Sequence, residues 1–247
     1  MSGGRAGIHV WIGEVPDVLA ARDRAVLDEP ELRRLAAFRD PVAGARYAGA
    51  RAAIRRTVAA WLGVAPGDVV WGNEECPGCG DARHGPPRVL RPATGWRVAV
   101  SRSGRWWMLA LSPGVPVGVD IEVRGPHEVP AVVRRCLSAA ERAEVTAAPE
   151  GVARDDVLTR CWVRKEAVVK GWGVGLGTDL AEVGVRPGRQ RALVVRRTPQ
   201  GPEPWEVSDV AAGTDCLAAL ARPAACDLPV TVHRATGPAV RDGRARG

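Results

Sequence analysis

Lysine is almost missing from this chain. Of its 35 basic residues only two are lysine, Lys165 and Lys170, and both fall in the window WVRKEAVVK. A sequence that writes arginine nearly everywhere has kept a compact ammonium on a flexible stem for one place, which marks that window for chemistry. Long apolar runs are missing too. No stretch approaches the roughly 18 to 20 uninterrupted apolar residues of a membrane helix, and the N-terminal MSGGRAGIHVWIGEVPD lacks a long apolar region before a small-residue cleavage site. The expectation is a cytoplasmic protein with no membrane partner. Cysteine is sparse: Cys76, Cys79, Cys136, Cys161, Cys216 and Cys226 are scattered through 247 residues, so reduced thiols are expected rather than a disulfide framework.

A net charge of +7 would suit a nucleic acid, an anionic cofactor or an acidic protein partner. Recognition of nucleic acid, however, needs a basic stripe interleaved with exposed aromatics or a known binding motif. The arginines here are diffuse and the tryptophans sit within or beside apolar patterns, so no nucleic-acid partner is expected.

The 46% of hydrophobic residues suffices for a full core. IHVWIG (8–13) reads as an opening strand, followed by a polar helical stretch around 17–38 punctuated by Pro30. In PVAGARYAGARAAIRRTVAAWL (41–62), Tyr47, Ala50, Ile54, Val58 and Leu62 recur at helical steps, with arginines on the other faces. DVVW (68–71), WRVAVS (96–101), RWWMLAL (105–111) and VPVGVDIEV (115–123) carry strand signals, the middle pair closing as a hairpin around Arg102, Ser103 and Gly104. Helical patterns return at VPAVVRRCL, at SAAERAEVTAA with a Ser138/Glu141 capping box, and from about 153 to 171. RALVVRR, EPWEVSDV and DCLAALA suggest a closing meander. The order predicts an α+β fold built as two similar halves related by pseudo-twofold symmetry, spanning 1–115 and 116–225. The Arg-rich remainder, 226–247, is expected to be a disordered tail.

Three constellations carry chemistry. In GVDIE, Asp120 and Glu122 project to one face of a strand and can grip one hard cation such as magnesium. In WVRKEAVVK, Trp162, Glu166 and Lys170 are successive i,i+4 neighbours in an apolar setting that would tune the pKa values of the pair. Ser101, Arg102 and Ser103, with Gly104 and Arg105, make a plausible phosphate cradle in a turn.

Together, SxSGRWxxxAL, GVDIE and a WxxKExxxK that follows some forty residues later resemble the surfactin-synthetase-type 4′-phosphopantetheinyl transferases, over roughly residues 34 to 180. The resemblance implies transfer of the 4′-phosphopantetheine arm of coenzyme A to a serine of an acyl or peptidyl carrier protein, with release of 3′,5′-ADP. Such transfer activates polyketide, nonribosomal peptide or fatty acid synthases. It further implies that Asp120, Glu122 and Glu166 bind Mg2+, with Mn2+ also admitted, and that Glu166 helps deprotonate the carrier serine. Lys170 would meet the phosphate that leaves, with Lys165 beside it. Arg46, and more weakly Arg34, match family positions that contact the 3′-phosphate, and the family works as a monomer. Two positions depart from the pattern. Arg102 stands where the family has histidine, and a guanidinium with a pKa above about 12 clamps charge without donating a proton. Gly85-Pro86-Pro87 stands where the family has Gly-Lys-Pro, leaving Arg88 as the expected substitute.

Cys76-Pro77-Gly78-Cys79 with His84 offers at most three zinc ligands in one loop, and no second CxxC exists. Since structural zinc normally takes four, an ordinary flexible loop is expected. A generic magnesium-dependent phosphohydrolase is the other catalytic reading, because it would share the acidic cluster.

Overall fold

The computed structural model describes residues 6–81, 83–124, 135–174 and 178–235. It is α+β, as the order of patterns implied. The chain opens with β1 (Ile8–Glu14), the short helices α1 (Ala21–Arg24) and α2 (Glu29–Ala36), and the long helix α3 (Pro41–Leu62). There follow β2 (Val70–Asn73), β3 (Pro87–Arg91), β4 (Trp96–Ser103) and β5 (Trp106–Pro113). Next come β6 (Gly118–Val123), α4 (Ala139–Ala147), α5 (Val152–Trp172), the meander β7 (Arg191–Thr198), β8 (Gly201–Val210) and β9 (Cys216–Pro223), and then β10 (Val230–Ala235). No helix among the described residues is long and apolar enough to cross a membrane.

Local chemistry sets the main boundaries. α3 starts where the Asp40 carboxylate accepts from the Val42 N–H, and ends at Gly63 with φ 74°. Pro30 lies in the first turn of α2, where its missing N–H costs nothing, behind a capping box made by Asp28 and Glu31. The expected polar stretch is therefore two helices rather than one. The Ser138/Glu141 capping box is present at the start of α4. Within the expected helix VPAVVRRCL, residues 129–134 lie outside the described residues.

Two four-stranded sheets, ordered β10-β1-β5-β4 and β6-β9-β8-β7, carry the core, with β2 and β3 as a separate ribbon. Strand alternation sorts their side chains. Ile8, Val10, Ile12, Met108 and Ala110 meet Val119, Ile121, Ala218 and Leu220 between the sheets. The opposite face of the first sheet, with Trp107, Leu109 and Leu111, packs on Ala50, Ile54 and Val58 of α3. Leu217, Ala219 and Ala221 of the second sheet pack on α5. One arginine of α3 departs from the expected solvated faces: Arg55 is 1% exposed, and donates to Asp28, Glu31 and the carbonyls of Pro66 and Val69.

The region expected to be a disordered tail from 226 onward contains β10, which runs parallel to β1 in register Ile8↔Val230 to Gly13↔Ala235. Its alternating Val230, Val232 and basic residues resemble an exposed polar segment, and only a partner distant in sequence reveals the strand. Residues 236–247 lie outside the described residues.

β10 also brings His233 onto His9, with Nε2 and Nδ1 3.0 Å apart, beside Trp11, Trp61 and Trp96. Burial first, and His233 second, hold His9 below the usual histidine pKa. Because the unfolded chain then binds more protons near its ordinary pKa of about 6.5, stability is complete above that pH and falls as the pH drops below it. His9→Phe should flatten that fall, as read by melting temperature against pH.

Candidate active site

β4 and β6 are the edge strands at which the two sheets meet, and serines bridge them. Ser101 Oγ donates to Asp120 Oδ1 at 2.6 Å, and Ser103 Oγ donates to Glu122 Oε2 while accepting from the Val123 N–H. On the other face of β4, Arg102 lies over the Tyr47 ring of α3, 5.2 Å from its centroid. The expected phosphate cradle is thus divided. β4 continues through Ser103, so the hydroxyls point to the carboxylates and the guanidinium points away.

Asp120 and Glu122 face α5, which supplies Trp162, Glu166 and Lys170. Gly118 lets that helix approach, since a Cβ there would stand 1.9 Å from the Ala167 carbonyl oxygen. The Lys170 ammonium donates to Asp120 Oδ1 at 2.5 Å and to Ser101 Oγ at 3.1 Å, with Glu166 Oε2 3.9 Å away. Trp162 Nε1 donates to Glu122 Oε1 at 3.2 Å. Asp120 Oδ2 and Glu166 Oε1 are buried and have no hydrogen-bond partner among the described residues.

Burial raises all three carboxyl pKa values. For Asp120, Lys170 and Ser101 oppose the rise; for Glu122, the Asp120 charge adds to it. Glu166 is pushed up to about 7, chiefly by burial. An oxygen-only donor set with two unpartnered buried oxygens fits a hard divalent cation in charge and chemistry. The three carboxylates do not draw one oxygen each to within 4.8 Å of one another, and the Lys170 ammonium is the counter-charge of Asp120 and Glu166.

Beyond Lys170 and Ser101 a cleft of about 660 Å³ opens, walled by Tyr47, Arg51, Trp71, Asn73 and Arg102. Arg51 lies over the Trp71 ring at 5.2 Å and donates to Glu31 at 2.6 Å. Partial burial first lowers the Arg102 pKa, Tyr47 opposes that, and the positive charges of Arg34 and Arg51 lower it further. Like charges drawn together in this way are relieved by an anion. Arg51 was not among the expected residues, although it lies one turn from Tyr47 and three residues before Ile54, on the flank of the apolar stripe.

The remaining expected residues do not wall the cleft themselves. Arg46 is held by Asp17 at 2.7 and 3.1 Å and does not wall the cleft. Arg34 lies over Phe38, 5.6 Å from its centroid. Arg88 is an exposed residue of β3 opposite Gly72; its neighbour Pro87 lines the cleft. Lys165 contradicts its expected place beside a phosphate. It is buried, pairs with Glu141 at 2.8 Å, and donates to the carbonyls of Leu180 and Val183.

Three buried carboxyl groups with a lysine, opening onto an arginine-walled cleft, have the make-up of a site for a phosphorylated substrate. Residues 116–221, which hold β6, α4, α5 and the meander, match the family model of the 4′-phosphopantetheinyl transferase superfamily. That match supports phosphopantetheine transfer in general. A comparison with curated proteins gave no match.

Proposed function

We propose that this protein transfers the 4′-phosphopantetheine arm of coenzyme A to a serine of an acyl or peptidyl carrier protein. The observation that carries this reading is the pair of unpartnered buried oxygens on Asp120 and Glu166 beside Lys170, inside the segment that matches the family model. Asp120, Glu122 and Glu166 would hold Mg2+ or Mn2+, which supplies charge neutralisation for the pyrophosphate. Glu166, whose pKa burial raises to about 7 before a cation binds, would take the proton from the carrier serine. The serine oxygen forms its bond to the phosphorus bearing the pantetheine arm, and the bond from that phosphorus to the bridging oxygen breaks. The electron pair leaves on 3′,5′-ADP, whose charge Lys170 meets. Arg102 and Arg51, with Arg34 near them, would receive the nucleotide end. The protein acts as a monomer, and its positive charge favours encounter with an acidic carrier domain.

A phosphohydrolase would release nucleotide from coenzyme A alone. The transferase reading requires that 3′,5′-ADP appear only with carrier present, one for each carrier modified; steady release without carrier, followed by chromatography, would refute it. Arg102→Ala should raise the KM for coenzyme A by about 10- to 100-fold, the worth of a hydrogen bond to a charged group, while kcat is retained. Protons on Glu166 compete with the cation. The Mg2+-induced rise in melting temperature should therefore be larger at about pH 8 than at about pH 6.

A further inference from the structure

The loop between β2 and β3 is not the featureless connection that its sequence suggested. Cys76 Sγ, Cys79 Sγ and a ring nitrogen of His84 lie within 4.8 Å of one another, and the Cys79 sulfur is 3.1 Å from His84 Nε2. Cys76 is buried at 3% exposure, whereas Cys79 and His84 are open to solvent. The backbone turn is built around the first thiol. The Gly80 N–H donates to the Cys76 carbonyl at 2.7 Å, with Gly80 at φ 76°, a conformation that a side chain would strain. The N–H groups of Gly78 and Cys79 are hydrogen-bonded to the Cys76 sulfur.

Neighbouring groups hold the three ligands in place without joining them. The Asp81 carboxylate is engaged by Arg83 at 2.6 Å and is thereby withdrawn as a donor. Buried Gly85 lets the two arms of the loop close, since a Cβ there would stand 1.8 Å from the Glu74 carbonyl oxygen. The arms are further joined by Glu74 N–H to the Pro86 carbonyl at 2.8 Å.

We propose that Cys76, Cys79 and His84 form a binding site for a thiophilic divalent cation of the zinc class, with the fourth position left to water. Two thiolates and one imidazole are borderline-soft donors that suit zinc and exclude magnesium. Ligand bonds of about 2.3 Å to sulfur and 2.0 Å to nitrogen in a tetrahedron put sulfur and nitrogen about 3.5 Å apart, close to the separation found. This site is separate from the carboxylates of β6 and α5, and it does not depend on the transferase reading.

Its place in the fold gives it a role. Pro77 and Pro86 pack over Gly173, and Gly78 meets Val174, at the C-terminal end of α5 just beyond Lys170. At the other end of the loop, Asn73 and Pro87 line the cleft. A cation on the three ligands clamps the loop against α5 and so fixes one wall of the cleft.

The test uses the full chain purified with reductant and loaded with Zn2+ or Co2+. After desalting, one metal per chain should remain by elemental analysis, and the Co2+ form should show thiolate-to-cobalt charge transfer. Cys79→Ser and His84→Ala, both at exposed positions, should each lose the retained metal, and Cys79→Ser should weaken the charge-transfer band. Should a variant fail to fold, the band on the parent protein still reports the thiolates. A reduced parent that retains no metal would overturn the proposal, as would undiminished metal in folded Cys79→Ser and His84→Ala.

Discussion

Glu166→Gln lowers the rate of arm transfer by about 10²- to 10⁴-fold, the usual worth of a positioned general base. The variant loses a carboxyl whose pKa burial pushes up to about 7 and whose buried Oε1 has no partner among the described residues. Its stability moves differently. The folded pKa of Glu166 is raised to about 7 from an unfolded value near 4.5, so its neutral form is favoured in the fold. That contribution is complete at low pH and is lost as the pH rises through about 7. At about pH 8 Glu166→Gln should therefore melt no lower than the parent while transfer is lost. A parallel drop in melting temperature would assign Glu166 to the scaffold.

Lys165→Ala behaves in the opposite sense, destabilising the fold by about 3–5 kcal/mol through an unpaired buried charge on Glu141. Glu141 also accepts from the Ser138 and Val185 N–H groups, so it ties α4 to the segment after α5. Lys165 adds the carbonyls of Leu180 and Val183 to the same junction. The double variant Lys165→Met/Glu141→Gln should recover part of the loss, because glutamine keeps an acceptor without the charge. Urea denaturation measures both. If Lys165→Ala instead raised the coenzyme A KM without loss of stability, its side chain would belong to the site.

The two lysines show how far sequence reasoning reached. Their shared window was legible as exceptional, and the i,i+4 relation of Trp162, Glu166 and Lys170 placed those three on one stripe, where the structure has them. Lys165 lies five residues before Lys170, about 140° around the helix, and so it faces the core that Lys170 avoids. Proximity in sequence suggested one role, and helical geometry gives two. The serines around Arg102 are the strand counterpart. Their motif was visible, but the alternation that splits it depends on β4 extending to Ser103, and strand ends have weak local signals.

Helices with caps were the most legible elements. Asp40 and Gly63 delimit α3, and Ser138 with Glu141 opens α4, through contacts made within a few residues. β3 and β10 were missed because their partners alone define them. Arg51 was missed for a similar reason. Its value comes from Trp71 and Arg102, which reach it through the tertiary fold.

The central claim is tested most directly by intact-mass spectrometry of apo acyl and peptidyl carrier proteins, each incubated with coenzyme A, Mg2+ and either the parent enzyme or Glu166→Gln. The account predicts that the parent adds one phosphopantetheine mass to a carrier serine, and that Glu166→Gln leaves the same carrier apo over the same interval. Unmodified carriers throughout a panel with folded parent enzyme, or equal modification by Glu166→Gln, would contradict it.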